Sequence, residues 1–223
     1  METYNPDDEL QQLREWLRDN GPALLAGLLL GALLVGGWSG WKYYTARQSL
    51  LASIEFGHLH EVLQSGDAKH AEEVTAKLTT QYSRTPYAAL ASLELAADQV
   101  KRGQFESALK QYQWAAHEAK DRKLRHIARL RGARLLWNLG RSEEALAELQ
   151  AHRQGSFAPL FAELRGDILA ARGQPEEARQ AYAEALASEA STPEQRASVE
   201  LKLNDLNPQG STATGTNVVP KDG

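Results

Sequence analysis

The chain has 223 residues, a formal net charge of −4 and no cysteine. The charge gives nothing global to attract nucleic acid. The lack of cysteine excludes disulfides, thiolate metal sites and a cysteine nucleophile.

Alanine, leucine, glutamate and arginine dominate and β-branched residues are sparse, which is helical composition. The chain opens with "NPDDELQQLREWLRDNG", which reads as a short amphipathic helix. Asn5 suits the cap, Pro6 the first position, and acids fill the first turn. Leu10, Leu13, Trp16 and Leu17 form one apolar face, and Asn20–Gly21 is expected to end the helix. Residues 1–20 are thus expected to be a short tail, separate from the apolar segment after it.

The next stretch, "GPALLAGLLLGALLVGGWSGW", has no charged residue. Pro22 suits the first position of a helix. From Pro22 to Trp41 the helix reaches about 30 Å, the thickness of a bilayer's hydrocarbon core. Trp38, Trp41, Tyr43 and Tyr44 gather at one end, as in an aromatic belt. A removable signal fits less well, because the preceding residues are mainly acidic, the apolar core is long and no Ala-x-Ala site comes after it. A buried core helix is the main alternative, against which the unbroken lack of charge argues. The expectation is a permanent transmembrane helix over 21–43. Orientation stays open, since Arg14 and Arg18 before the span balance Lys42 and Arg47 after it. Gly27 with Gly31, and Gly36 with Gly40, have the GxxxG spacing that lets another helix approach closely. Ala23 extends the first pair into a small-residue stripe.

Outside the apolar stretch and the two ends about 160 residues remain, enough for one domain with a core. Here the sequence repeats itself. "SGDAKHAEEV", "RGQFESALKQ", "LGRSEEALAE" and "RGQPEEARQA" all contain Gly-x-x-x-x-Ala. The pairs are Gly66 with Ala71, Gly103 with Ala108, Gly140 with Ala145, and Gly173 with Ala178. The glycines lie 37, 37 and 33 residues apart, and a helix–turn–helix unit near 34 residues is the tetratricopeptide signature. Glycine closes the first helix and permits the tight turn, and the alanine lets the second helix pack against the first. Tyr112 and Tyr182, then Ala115 and Ala185, fall at the aromatic and small positions of the second helix. Leu59 and Ala133 hold the place that Ala96 and Gly166 hold elsewhere, and His152 replaces a small residue. Pro86, Pro159 and Pro193 mark the joins between pairs.

The expected pairs are 47–64 with 68–82, 86–102 with 105–119, 123–139 with 142–152, and 158–172 with 175–188. A last helix over 193–206 caps the stack. The helix at 47–64 is the one that can run on from the span without a break. The fold class is therefore all-α: one transmembrane helix, then a tetratricopeptide-like solenoid over 44–206. Residues 207–223 have the composition of a disordered tail.

No nucleotide loop or Gly-x-Ser-x-Gly is present. His58 and His60, two apart on a helix, point to different faces and do not readily share a metal. Carboxylates sit beside bases at helical spacing. No catalytic residue, cofactor or metal is expected, and the chain reads as a non-enzyme. Between Arg122 and Arg141 lies a cluster of bases that includes Lys123, Arg125, Arg129, Arg131 and Arg134. One reading is a solvated face paired with glutamates. The other is a basic inner groove for an acidic peptide or an exposed carboxylate, with Arg125, Arg129 and Arg134 as its candidates.

The order of segments, together with "YAALASLELA" (Tyr87 to Ala96), "LRGDILAARGQPEEARQAY" (Leu164 to Tyr182) and "LKLNDL" (Leu201 to Leu206), resembles the YfgM-type ancillary SecYEG translocon subunit family of Gram-negative bacteria. The resemblance covers residues 1–206. It implies a single-pass inner-membrane protein with a cytoplasmic N-terminus and a periplasmic tetratricopeptide domain. It also implies association with the SecYEG translocon and with the membrane-anchored periplasmic chaperone PpiD, to assist newly translocated proteins. The expectation is a tethered scaffold. Gly27, Gly31, Gly36 and Gly40 would dock its span, and its concave face would hold a chaperone or an emerging chain. The alternatives are a self-associating scaffold for cell-envelope assembly and a cytoplasm-facing signalling adaptor.

Overall fold

The structure is a computed structural model that describes residues 6–151 and 155–206. Among the described residues, regular structure is helical throughout, in nine segments. They are α1 (Pro6–Ser65), α2 (Ala68–Gln81), α3 (Pro86–Lys101), α4 (Phe105–Glu118), α5 (Arg122–Asn138), α6 (Ser142–Gln150), α7 (Ala158–Ala171), α8 (Pro175–Ala187) and α9 (Pro193–Asp205). The chain divides into two compact units, the first ending at Leu51 and the second beginning at Ala52. The expected cap at Asn5, the position of His152 and the tail 207–223 lie outside the described residues.

The first unit consists of the greater part of α1. The helix end expected at Asn20–Gly21 is absent, because α1 runs through it. The Asn20 side-chain amide donates to the Trp16 carbonyl, 3.0 Å away and one turn back, so it supports the helix. Pro22 stands inside α1, where it removes one backbone hydrogen bond, and does not begin a new helix. An apolar stretch satisfies its backbone in a bilayer by bonding to itself, and an unbroken helix does so at all but this one point. Leu28 and Leu33 are 71% and 75% exposed, unlike the side chains of a core helix. Among the described residues, α1 is the one helix long and apolar enough to cross a membrane. At the aromatic end, the Lys42 ammonium lies 5.5 Å from the centre of the Trp38 ring, a cation–π contact.

The second unit is a stack of helix pairs. Its members are the end of α1 with α2, α3 with α4, α5 with α6, and α7 with α8, followed by α9. The four repeat glycines share one conformation, with φ of 82°, 75°, 77° and 72° at Gly66, Gly103, Gly140 and Gly173. A side chain at such an angle is strained. At the last three the same two hydrogen bonds close the helix. Gly103 N–H donates to Val100 and Gln104 N–H to Gln99, and the pattern recurs from Gly140 and Arg141 and from Gly173 and Gln174. This is the Schellman closure, which satisfies the orphan carbonyls of a helix end. Asp67, Asp121 and Thr192 cap α2, α5 and α9 with their side chains.

Beyond each turn, Ala71, Ala108, Ala145 and Ala178 have no exposed surface. Here two helices lie too close for a larger side chain. One core runs from Leu93 to Ile168 through α3–α7. A second joins α1, α2 and α3 through Leu59, Leu78 and Leu95. A third joins α7, α8 and α9 around Tyr182 and Val199. Charged side chains tie each turn to the one before it. Arg102 donates to the Gly66 carbonyl at 3.2 Å, Arg141 to Glu106 at 3.1 Å, and Arg172 to Glu143. Such exposed pairs add little stability singly, but each favours one register between neighbours.

The last pair is closed by a tight contact. Gly166 faces the Tyr182 ring so closely that an added Cβ would stand 2.4 Å from it. The Tyr182 hydroxyl donates to Asp167 at 2.9 Å. Lys202 of α9 donates to Glu163 at 2.8 Å and to Asp167 at 2.9 Å. Burial opposes the charge on Lys202, yet Asp167 and Glu163 outweigh it and hold its pKa above the ordinary 10.5.

Two substitutions test the packing of this end. Gly166→Ala gains helix propensity of about 1 kcal/mol but overpacks against Tyr182 at about 1–3 kcal/mol. The helical melting midpoint of the full chain in detergent should fall, by up to about 8 °C, and a raised midpoint would show that the ring moves aside freely. The Lys202 contribution is complete below pH 10.5 and is lost as pH rises through its higher folded pKa. Lys202→Met should therefore melt lower than the parent at neutral pH, with the gap closing at strongly alkaline pH. A gap that stays constant would assign the effect to packing alone.

Candidate functional site

Two surfaces carry the features that the sequence singled out, one in each unit. In the first unit, nothing lies within 4 Å of a Cβ added at Gly27, Gly31, Gly36 or Gly40. Their small surfaces are open to another helix. They do not form one stripe. At about 100° per residue, Gly31 and Gly36 are about 140° apart around the axis, and Gly27 and Gly36 about 180°. The helix therefore presents Ala23, Gly27 and Gly31 on one side and Gly36 and Gly40 on the other.

In the second unit the first helices of successive pairs approach one another, α3 to α5 and α5 to α7, while the second helices do not come as near. The stack therefore curves with the first helices inside, and their exposed residues line a concave groove. Two cavities lie along it. One, of about 370 Å³, is lined by His60 and Gln64 of α1 and by Glu94, Asp98 and Lys101 of α3. The other, of about 420 Å³, lies between α3 and α5. Ala97 and Lys101 border both. The second cavity adds Arg131, Arg134 and Asn138 over an apolar floor of Val100, Tyr112 and Leu135. These positions repeat, because Ala97 and Arg134, like Lys101 and Asn138, are 37 residues apart in the sequence. The two cavities are one groove at successive repeats, acidic at the first and basic at the second.

The three arginines expected in the groove part company. Arg125 donates to the backbone carbonyls of Ala119, at 2.7 Å, and Lys120, at 3.3 Å, where it closes the end of α4. Arg129 points to α6, with its Nε 3.3 Å from Glu148 and its side chain 14% exposed. Arg134 is exposed on the groove wall. Its neighbours there are Arg131, already one of the sequence cluster, and Lys101 and Asn138, which the cluster did not include. The signal for these two was the repeat register, since Gln64, Lys101 and Asn138 occupy one position in three successive repeats. Burial raises the Tyr112 phenol pKa, and the nearby positive charge of Arg131 works the other way.

The histidines go to different partners. His58 Nε2 lies 3.3 Å from His70 Nε2 across α1 and α2, and His60 Nδ1 lies 3.9 Å from Glu94. No group of three metal-ligating side chains occurs among the described residues. What the groove offers is cationic and amide hydrogen-bond donors around a patch of apolar surface.

A sequence profile described as "Tetratricopeptide repeat-like domain" matches residues 14–208. The ancillary SecYEG translocon subunit of Escherichia coli (strain K12) is 30% identical over 208 residues, which is 92% of this chain and 99% of that protein. Its namesake from Haemophilus influenzae is 29% identical over 201 residues, 90% of this chain and 97% of the relative. The one from Neisseria gonorrhoeae is 27% identical over 199 residues, 89% and 95% of the two chains. The similarity runs through the apolar helix as well as the repeats, and the chain belongs to the tetratricopeptide repeat-like family of the ancillary SecYEG translocon subunits.

Proposed function

We propose that this protein is a single-pass inner-membrane scaffold that associates with the SecYEG translocon and assists newly translocated proteins. The observation that carries the reading is the match, over 99% of its length, to a relative named for that association. An exposed apolar helix and a solenoid with an open groove suit the role. The span holds the repeats beside a protein channel, and the groove receives a membrane-anchored periplasmic chaperone of the PpiD kind or an emerging chain. Tethering gives even a weak binder an effective concentration of about a millimolar. The N-terminus is cytoplasmic and the solenoid periplasmic. No step of this role calls for catalysis.

The span does more than anchor. Its two small-residue faces, Gly27 with Gly31 and Gly36 with Gly40, each admit one neighbouring helix, so the anchor sits between two partners. Leucine at one pair closes that face and leaves the other open.

Two experiments test this role. A tag after Gly223 should recover translocon subunits in mild detergent. Gly27→Leu with Gly31→Leu, and Gly36→Leu with Gly40→Leu, should each lower recovery of a different component by about tenfold. Equal recovery from all three forms would exclude docking through these faces, and no translocon subunits from any form would exclude the association itself. In spheroplasts, added protease should digest the C-terminal domain while intact cells protect it. Protection in spheroplasts would place the domain in the cytoplasm and favour a signalling adaptor.

A further inference from the structure

The cavity between α3 and α5 gathers bases and no acid. Several bases of the solenoid have a carboxylate partner. Lys77 has Glu55, Arg141 has Glu106 and Glu144, Arg165 has Glu184, Arg172 has Glu143, and Lys202 has Glu163 and Asp167. Lys101, Arg131 and Arg134 have no ion pair among the described residues, and no acid lines their cavity. This occurs in a chain with more acids than bases, 29 against 25. Three uncompensated cations facing one hollow repel one another, and an anionic occupant relieves that repulsion.

The surroundings limit what that occupant is. Val100, Tyr112 and Leu135 make the floor apolar, so the ligand carries apolar side chains beside its acids. Asn138 on the wall both donates and accepts, as a peptide unit requires. On the α1 side of α3, Glu94 and Asp98 line the adjoining cavity, Asp98 paired with Arg102 at 2.6 Å, so the favourable stretch is short. A nucleic acid, with a charge every few ångströms, would run from it into repulsion. A flat membrane surface does not reach the floor of a hollow between two helices.

We propose that this cavity docks a short acidic segment of a protein partner, with Lys101, Arg131 and Arg134 seating its carboxylates and Val100 and Leu135 its apolar side chains. This deepens the groove part of the scaffold reading by naming the chemistry of what binds there. It does not require the translocon association, so the two can fail separately.

The test is fluorescence anisotropy with the full chain in a non-ionic detergent. The probe is a short fluorescein-labelled peptide of alternating glutamate and leucine, and its glutamine–leucine counterpart is the neutral control. The glutamate peptide should bind, and added salt should weaken it. Arg134→Gln should weaken it several-fold, and Lys101→Gln, Arg131→Gln and Arg134→Gln together by about tenfold or more. All three side chains are exposed, and an unchanged circular dichroism spectrum verifies the fold. A second triple variant, Lys69→Gln, Lys110→Gln and Lys123→Gln, removes the same charge from exposed positions elsewhere and should bind as the parent does. No binding of the glutamate peptide, equal binding of the glutamine peptide, or equal loss in both triple variants would overturn the proposal. So would displacement of the probe by short-chain phosphatidylglycerol as readily as by unlabelled peptide, which would make the cavity a headgroup site.

Discussion

The second unit depends on how closely the two helices of each pair approach. Ala71, Ala108, Ala145 and Ala178 are fully buried where the helices cross, and a glycine with positive φ turns the chain tightly enough to bring them there. A larger side chain at any of these alanines would push a pair apart. In a repeat stack each pair is held mainly by its neighbours, so such a shift would pass along the array. The groove inherits its geometry from the same constraint. Its lining residues stand 37 apart because the repeats do, and they face one another across α3 and α5 because α4 packs tightly behind both.

Charge plays two roles on this framework. From Arg102 to the Gly66 carbonyl, from Arg141 to Glu106 and from Arg172 to Glu143, each turn reaches back to the one before. These contacts are exposed and individually weak, but they recur at one place in the repeat and favour one register. Arg125 and Arg129 belong to this structural use, one on backbone carbonyls and the other beside Glu148. The bases of the α3–α5 cavity are different in that no carboxylate answers them. The recurring contacts favour one register, and the cavity bases Lys101, Arg131 and Arg134 stay without an ion pair among the described residues.

The first unit obeys another rule. Leu25, Leu28, Leu29, Leu30, Leu33 and Leu34 are exposed, and its backbone bonds within one helix from Pro6 onward. Glycine costs helix stability in water, yet the apolar stretch holds several without a break. In a bilayer the penalty for an unpaired backbone group exceeds the propensity of any single residue. α1 also runs past Asn20–Gly21, where the Asn20 amide bonds back to the Trp16 carbonyl.

Whether a feature is legible in the sequence depends on whether the interaction behind it is local. The glycine–alanine spacing, the prolines at the joins and the apolar run are local patterns, and with them the sequence determined the helix pairs and, from α2 to α9, their boundaries within a residue or two, and it marked the long apolar part of α1. Family membership was legible for the same reason, since it rests on the order of those segments. The fate of individual charges was not. Arg125, Arg129 and Arg134 look alike in sequence, one turn or so apart on a single helix. Only the packing of α4, α6 and α3 around that helix decided that the first closes a helix end, the second meets Glu148 and the third faces the groove. Lys101 joins it from another helix because repeat neighbours meet in space, which no local pattern expresses. Around the span the opposite holds. The angle between the two glycine pairs comes from helix geometry alone, once the tertiary structure shows that the helix does not break.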